Sequence, residues 1–243
     1  LKKDETVIDI GTGSGLLGFG AYERLEGDGR VILSDAFPDC LEECHKIAAQ
    51  SGIEDKLEFL LSDASDIKLP DSSADVVMMR SVLVHILDKT KPAKEFYRIL
   101  KAGGRVSLFE PIIRKNTKYH ELISPDFPNY AKVKYAEEAM SSDANDPLVN
   151  FDENSLGQDF LAAGFRNVDI RVSTETSSYP VQHAMIEPWF NTPPSPDRPN
   201  LRQRFLQFMS EAEVNDFIEN LKTALGGQVI TLNSPVAYLL AEK

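Results

Sequence analysis

An apolar strand-like run, Val7-Ile8-Asp9-Ile10, ends in the turn Gly11-Thr12-Gly13-Ser14-Gly15. Glycines at alternate positions let a backbone turn tightly and come close to a ligand. The helical stretch that follows, Leu17 to Leu25, offers its unpaired N–H groups at the same place. Such a turn suits a polar or negatively polarised ligand of nucleotide type. Elsewhere His85, Glu110 and His120 are side chains able to take up a proton, imidazole being the group best matched to that work near neutral pH. His183 and Tyr119 have similar chemistry but sit in segments without a motif.

Two cofactor readings compete for the turn. Gly13-Ser14-Gly15-Leu16-Leu17-Gly18 satisfies the dinucleotide pattern G-x-G-x-x-G, and the acidic Asp35 follows about 20 residues later. A dinucleotide fingerprint, however, puts its first glycine at the strand end. That residue is Gly11 here, so the run reads G-x-G-x-G with Leu16 in sixth place, which counts against a nicotinamide cofactor.

Alternating strand-like and helix-like segments must position these residues. Strands are expected near 6–10, 30–35, 56–61, 74–80 and 104–110, and helices near 15–26, 38–51 and 90–100. Gly27, Gly52 and Gly103 are placed as helix stops. After Pro111, residues 112–150 show no clear apolar period and read as an insertion. A helix at 153–163 with Gly164 as its stop leads into alternation at Val168, Ile170 and Val172. Residues 174–200 hold Pro180, Pro188, Pro193, Pro194, Pro196 and Pro199, so a loop or lid is expected there. A helix over 201–226 and a strand at 236–240 close the chain. The pattern predicts a doubly wound, mostly parallel seven-stranded α/β sheet in a single domain over 1–243, with a cofactor-binding core at 1–110. The segments 112–150 and 174–227 are expected to cover the substrate as a helical lid.

Composition narrows the partners. With 26 basic and 38 acidic residues among 243, the formal net charge is -12 and no Lys/Arg cluster traces a phosphate backbone, so nucleic acid is not expected. No apolar stretch reaches the roughly 20 residues that span a bilayer, and no signal-peptide pattern opens the chain, so a cytoplasmic protein without a membrane partner is expected. Cys40 and Cys44 lie four apart on an expected helix and read as an ordinary helix face; no metal site is expected. The chain opens without Met, close to its first core strand, so an upstream segment is expected. Oligomeric state is left open.

Several separated motifs together carry a resemblance. They are Asp9-Ile10-Gly11-Thr12-Gly13-Ser14-Gly15, Ser34-Asp35-Ala36, Asp63-Ala64, the segment Ala74 to Leu83, the segment Arg98 to Arg105, and Leu161-Ala162-Ala163-Gly164-Phe165. Over residues 1–110 and 150–173 the chain resembles a class I S-adenosylmethionine-dependent methyltransferase of the ubiquinone/menaquinone-biosynthesis type. The resemblance implies a Rossmann-like fold, S-adenosylmethionine as cofactor, S-adenosylhomocysteine as product, and a small organic acceptor. It assigns cofactor contacts to Asp9, Gly11, Thr12, Gly13, Ser14, Gly15, Asp35, Ala36, Asp63, Ala64, Arg80 and Ser81. In that reading Asp35 accepts the ribose hydroxyls, Asp63 the adenine amino group, and Ala64 offers a backbone N–H to the ring. Asp9 orients the loop amides or meets the methionine ammonium. Arg80 and Ser81 meet the methionine end, or Arg80 forms an ion pair.

Methyl transfer from a sulfonium is an in-line displacement that needs a base only if the acceptor carries a proton. Glu110 and His85 are the leading candidates for a base, followed by His120. Tyr119, Phe127, Tyr130, Tyr135, Trp189 and Phe190 supply rings that could wall a pocket for an apolar or aromatic molecule. A protein or peptide methyltransferase and a non-catalytic S-adenosylmethionine-binding module remain alternatives. Two cysteines argue against arsenic methylation.

Overall fold

The computed structural model describes residues 1–194 and 198–243. Seven strands, β1 (Thr6–Ile10), β2 (Arg30–Asp35), β3 (Leu57–Leu61), β4 (Ala74–Arg80), β5 (Leu100–Pro111), β6 (Arg166–Pro180) and β7 (Val229–Glu242), form one sheet in the order β3-β2-β1-β4-β5-β7-β6. Strands β1 to β5 pair in parallel and β7 runs antiparallel to β5. Parallel strands need crossovers, and α1 (Leu16–Leu25), α2 (Pro38–Gln50) and α3 (Thr90–Ile99) supply three of the four, the β3–β4 connection having no helix.

The chain folds as two compact units. The first is Leu1–Ile112, Phe151–Ser173 and Val236–Lys243, and the second is Ile113–Asn150 and Thr174–Pro235. In the first, Val7, Val31, Leu33 and Val76 of the sheet meet Ala21, Leu25, Cys44 and Ala48 of α1 and α2. Full burial of aliphatic side chains of this size is worth roughly 1.5 to 3 kcal/mol each. Phe96 of α3 lies 6.4 Å, centroid to centroid, from Phe160 of α5 (Glu153–Ala163). Helix α5 starts where the Asp152 carboxylate accepts from the N–H groups of Asn154 and Ser155, both at 3.0 Å, and stops at Gly164, whose φ of 108° suits glycine.

The second unit holds α4 (Tyr130–Ser141), α6 (His183–Asn191), α7 (Leu201–Phe205) and α8 (Glu211–Leu225). Its core is built on Phe190, Phe205 and Phe217, with ring centroids 5.4 to 5.9 Å apart. Here the structure departs from the sequence expectations. Helix α4 was hidden because its buried stripe, Val133, Ala136, Glu137 and Met140, has the spacing of a helix face but carries a carboxylate. The expected loop at 174–200 contains the end of β6 and all of α6. Pro188 sits inside that helix, which is kept by the complete burial of Ile186 and Phe190. Pro196 lies outside the described residues.

The single helix expected over 201–226 is two helices. Ser210 caps a fresh start by accepting from Glu213 N–H, while the Glu213 carboxylate accepts from Ser210 N–H, a reciprocal box that resets the backbone. Strands β6 and β7 outrun their expected spans because their polar, exposed residues conceal the alternation. Gly103 is not a helix stop: α3 ends at Ile99, and Gly103 lies in β5, where the register with β4 shifts.

Candidate active site

All the residues assigned to the cofactor lie at or just beyond the carboxyl ends of β1 to β4. The glycine turn follows β1, with φ values of 65°, 55° and 86° at Gly11, Gly13 and Gly15, a left-handed conformation that side chains resist. A Cβ on Gly11 would stand 2.3 Å from Val82 Cγ2, and one on Gly15 would stand 2.3 Å from Phe19 Cε2, whereas one on Gly13 would meet nothing within 4 Å. The turn is thus packed on two of its glycines and open at the third.

Two buried carboxylates hold this turn. Asp9, 2% exposed, accepts through Oδ2 from Thr12 Oγ1 at 2.6 Å and from Gly18 N–H at 2.8 Å. Asp35, 6% exposed, accepts through Oδ2 from Gly13 N–H at 2.9 Å and through Oδ1 from Phe37 N–H at 3.0 Å. Burial pushes the Asp9 carboxyl up to about 6, against the bonds from Thr12 and Gly18 that favour its anion; the nearby Asp35 charge adds to the rise. Thr12 N–H bonds to Ser34 O at 2.9 Å, which ties the turn to the end of β2.

The third strand joins the same edge. Ser62 N–H donates to Asp35 O at 2.9 Å, and the next residue, Asp63, is exposed, with Oδ1 accepting from Ser65 N–H at 2.7 Å. Ala64 is buried and Ala36 and Ser14 are exposed. At the end of β4, Ser81 has a left-handed φ of 58° and donates its N–H to Phe109 O at 2.8 Å. Arg80 is exposed, and its guanidinium lies 5.4 Å from the Phe109 ring centroid, a cation–π contact where an ion pair was the alternative expectation.

The two leading base candidates fare differently from expectation. Glu110 is 0% exposed, and its Oε1 accepts from Val82 N–H and Leu83 N–H, both at 2.9 Å, while Oε2 accepts from Val84 N–H at 3.0 Å. Burial raises this carboxyl to about 7, opposed by the three amides and by Lys89. As a base for a substrate Glu110 is corrected to an anchor: it offers no face to an acceptor and spends its lone pairs on the turn after β4. Through Val82, that turn walls Gly11. His85, the last residue of the turn Leu83–His85, is exposed. His120 belongs to the second unit, where its Nδ1 is 2.8 Å from Glu137 Oε2.

Sequence reasoning missed three residues of this site. Cys44, expected on an ordinary helix face, is fully buried, and its Sγ donates to Gly13 O at 3.2 Å; burial pushes the thiol up to about 11. Gly18 has no room for a side chain, since a Cβ would stand 2.7 Å from Leu33 Cγ, and its place in G-x-G-x-x-G was the visible signal. Val82 lies inside the motif segment Ala74 to Leu83, but nothing in the sequence singled it out there. Two cavities, of about 290 and 470 Å³, are lined wholly by residues of the second unit.

Residues 1–155 match a family model described as a methyltransferase domain. The chain belongs to this methyltransferase family. Strands β1 to β5 and the motifs from Asp9 to Arg105 fall within the matched residues, and the methyltransferase is of the class I, S-adenosylmethionine-dependent type, with S-adenosylmethionine as cofactor and S-adenosylhomocysteine as product. The methyltransferase is 30% identical over 128 residues to ubiquinone/menaquinone biosynthesis C-methyltransferase UbiE of Enterobacter sp. (strain 638), a match spanning 51% of each chain. It is 28% identical over 185 residues to the UbiE of Klebsiella pneumoniae, covering 70% of this chain and 69% of that one. The fold is similar to that of Haemonchus contortus phosphoethanolamine N-methyltransferase 2 in complex with phosphomonomethylethanolamine and S-adenosylhomocysteine. That likeness has a TM-score of 0.58 at 17% identity and covers 100% of this chain and 49% of that one. Among the described residues no helix is long and apolar enough to cross a membrane, and no group of three or more His, Cys, Asp or Glu could hold a metal ion.

Proposed function

We propose that the first unit binds S-adenosylmethionine along the carboxyl edge of β1 to β4, and that its methyl group goes to a small, apolar or aromatic acceptor in the cytoplasm. The observation that carries this reading is the pair of buried carboxylates, Asp9 and Asp35, that both bond the same glycine turn. The residues fit the cofactor. Asp35 keeps lone pairs beyond its two amide bonds for ribose hydroxyls, Asp63 is exposed for the adenine amino group, and Ala64 presents its backbone to the ring. Gly11, Thr12, Gly13, Ser14 and Gly15 hold the methionine portion, with open space beside Gly13. Oδ1 of Asp9 takes none of that residue's two bonds and is the oxygen available to an ammonium. Arg80 and Ser81 close the methionine end.

The sulfonium supplies an electrophilic methyl carbon with a neutral thioether as leaving group. The protein's task is alignment and exclusion of water, since displacement at that carbon requires an in-line approach. Glu110 contributes by fixing the turn Val82–Val84. Acceptor recognition is assigned to segments 112–150 and 174–227, and the relatives' name, C-methyltransferase, favours a carbon acceptor. With carbon as the atom alkylated, a base acts only to remove the proton that the new bond displaces, and His85 or His120 has the chemistry for it.

Calorimetric titration tests the reading. S-adenosylhomocysteine should bind with a Kd in the micromolar range, roughly -8 kcal/mol, and NAD should give no heat. Binding of NAD, or of neither compound, would overturn it.

A further inference from the structure

The connection from β3 to β4 carries Asp63 and Ala64, the residues assigned to the adenine ring, and it has no helix of its own. Irregular backbone keeps a side chain in place only if its surroundings fix it. Part of the fixing is internal. Ser62 Oγ donates to Asp66 O at 3.0 Å and accepts from Lys68 N–H at 2.9 Å, and Asp66 N–H donates to Asp63 O at 3.0 Å, which closes residues 62–68 into one loop.

The rest comes from α3. The buried Ile67 is held at both of its backbone groups by one pair of side chains: its N–H donates to Glu95 Oε2 at 2.9 Å, and its carbonyl accepts from Arg98 Nη2 at 2.8 Å. Glu95 and Arg98 are themselves joined as a fork, Nε to Oε1 at 2.9 Å and Nη2 to Oε2 at 2.7 Å. Arg98 Nη1 then donates to Leu69 O and to Asp71 Oδ1, both at 2.8 Å. All five N–H groups of the guanidinium are thereby spent, two on Glu95 and three on the β3–β4 connection. A lysine, whose donors radiate from a single nitrogen, cannot reproduce that span.

We infer that Glu95 and Arg98 are positioning residues that set the preference of the cofactor site for adenine over other bases, by holding Ile67 and, through it, the loop that carries Asp63 and Ala64. The inference rests on the cofactor reading above. The pair bonds the connection at Ile67, Leu69 and Asp71, whereas the glycine turn is bonded by Asp9 and Asp35 at the ends of β1 and β2. Loosening the pair therefore frees the base end of the site and leaves the ribose and methionine ends as they are.

The test compares S-adenosylhomocysteine with S-inosylhomocysteine by titration calorimetry. The inosine analogue has a carbonyl where adenine has its amino group and a protonated ring nitrogen where adenine has a bare one, so it sets an acceptor against Asp63 and a donor against Ala64 N–H. The unaltered protein should prefer S-adenosylhomocysteine by about 30-fold or more. Arg98→Lys keeps the charge and loses the fork. It should weaken S-adenosylhomocysteine by about tenfold and the inosine analogue by less than about twofold, so that the preference shrinks to about three- to sixfold. Glu95→Gln still offers Ile67 N–H an oxygen and should shrink the preference by about threefold, which decides the matter if the lysine variant does not fold. Asp35→Ala should weaken both compounds alike, since they share the ribose. An unchanged preference in the folded variants, or a parallel loss of both compounds as a mere structural brace would give, overturns the inference and leaves the cofactor reading standing. Equal binding of the two compounds by the unaltered protein overturns the inference together with the role of Asp63. Failure to bind either compound removes the cofactor reading and the inference with it.

Discussion

Glu110 in the first unit and Glu137 in the second are buried glutamates that each clamp a turn by two or more backbone amides, and the surroundings of the two clamps differ. In the first unit Glu110 holds Val82, Leu83 and Val84, at the sheet edge where the glycine turn and two further buried carboxylates converge. In the second, Glu137 holds Tyr119 and His120 among stacked rings. One device works in two surroundings: hydrogen-bonded carboxylates around a glycine turn, and stacked rings in the core of the second unit. Polar recognition forces particular residue types at particular places, whereas a wall of rings accepts many substitutions.

The largest effects should come from breaking the clamps. Glu110→Ala strands three backbone N–H groups and should cost about 3 to 6 kcal/mol, read as a lowered urea midpoint, with S-adenosylhomocysteine affinity falling alongside. Glu137→Ala should cost a similar amount yet leave S-adenosylhomocysteine affinity within about twofold in the folded fraction, because its two amides and His120 lie in the second unit. Equal losses of cofactor binding in both variants would erase the distinction between the regions.

A pH series sharpens it. Asp9 has its carboxyl raised from 3.8 to about 6, so the folded state binds a proton that the unfolded chain has released. Its contribution to stability is present below the unfolded value and is lost as pH rises through the folded one. The stability of the protein minus that of Asp9→Asn should therefore fall between about pH 4 and about pH 7, by up to about 3 kcal/mol, and be flat above. Urea unfolding at stepped pH reads this directly, and a difference that rises with pH would contradict the burial argument.

The glycines separate packing from binding within one turn. Gly11→Ala meets Val82 Cγ2 at 2.3 Å and should cost about 2 to 3 kcal/mol of stability. Gly13→Ala meets no protein atom within 4 Å, so its stability cost should be only the about 1 to 2 kcal/mol of a left-handed residue, while S-adenosylhomocysteine affinity drops further. Thermal melts and titrations of both variants give the comparison.

How legible each region was follows from the same contrast. Strands β1, β2 and β4 fall on their expected residues, and Asp9 and Asp35 both bond the glycine turn or the helix start after it, at the strand edge to which the resemblance assigned them, because a tight turn and a buried carboxylate tolerate few alternatives. The second unit was legible only in part. Glu137 interrupts the apolar period of α4, Pro188 disguises α6, and the Ser210 box splits one apolar period into two helices. Glu110 was visible as an ionisable group at a strand end. Its role was not, because the amides it holds belong to a turn 26 to 28 residues away in sequence. Cys44 likewise needed the packing of α2 against the turn to show its function.

The central claim is that Asp35 and the glycine turn hold the adenosyl group. Titration calorimetry of S-adenosylhomocysteine into the protein and into Asp35→Ala tests it most directly. Affinity should fall by about 1.5 to 3 kcal/mol in the variant, the worth of hydrogen bonds to a charged acceptor, with folding retained by circular dichroism. Unchanged affinity in a folded Asp35→Ala protein would contradict the assignment of the site.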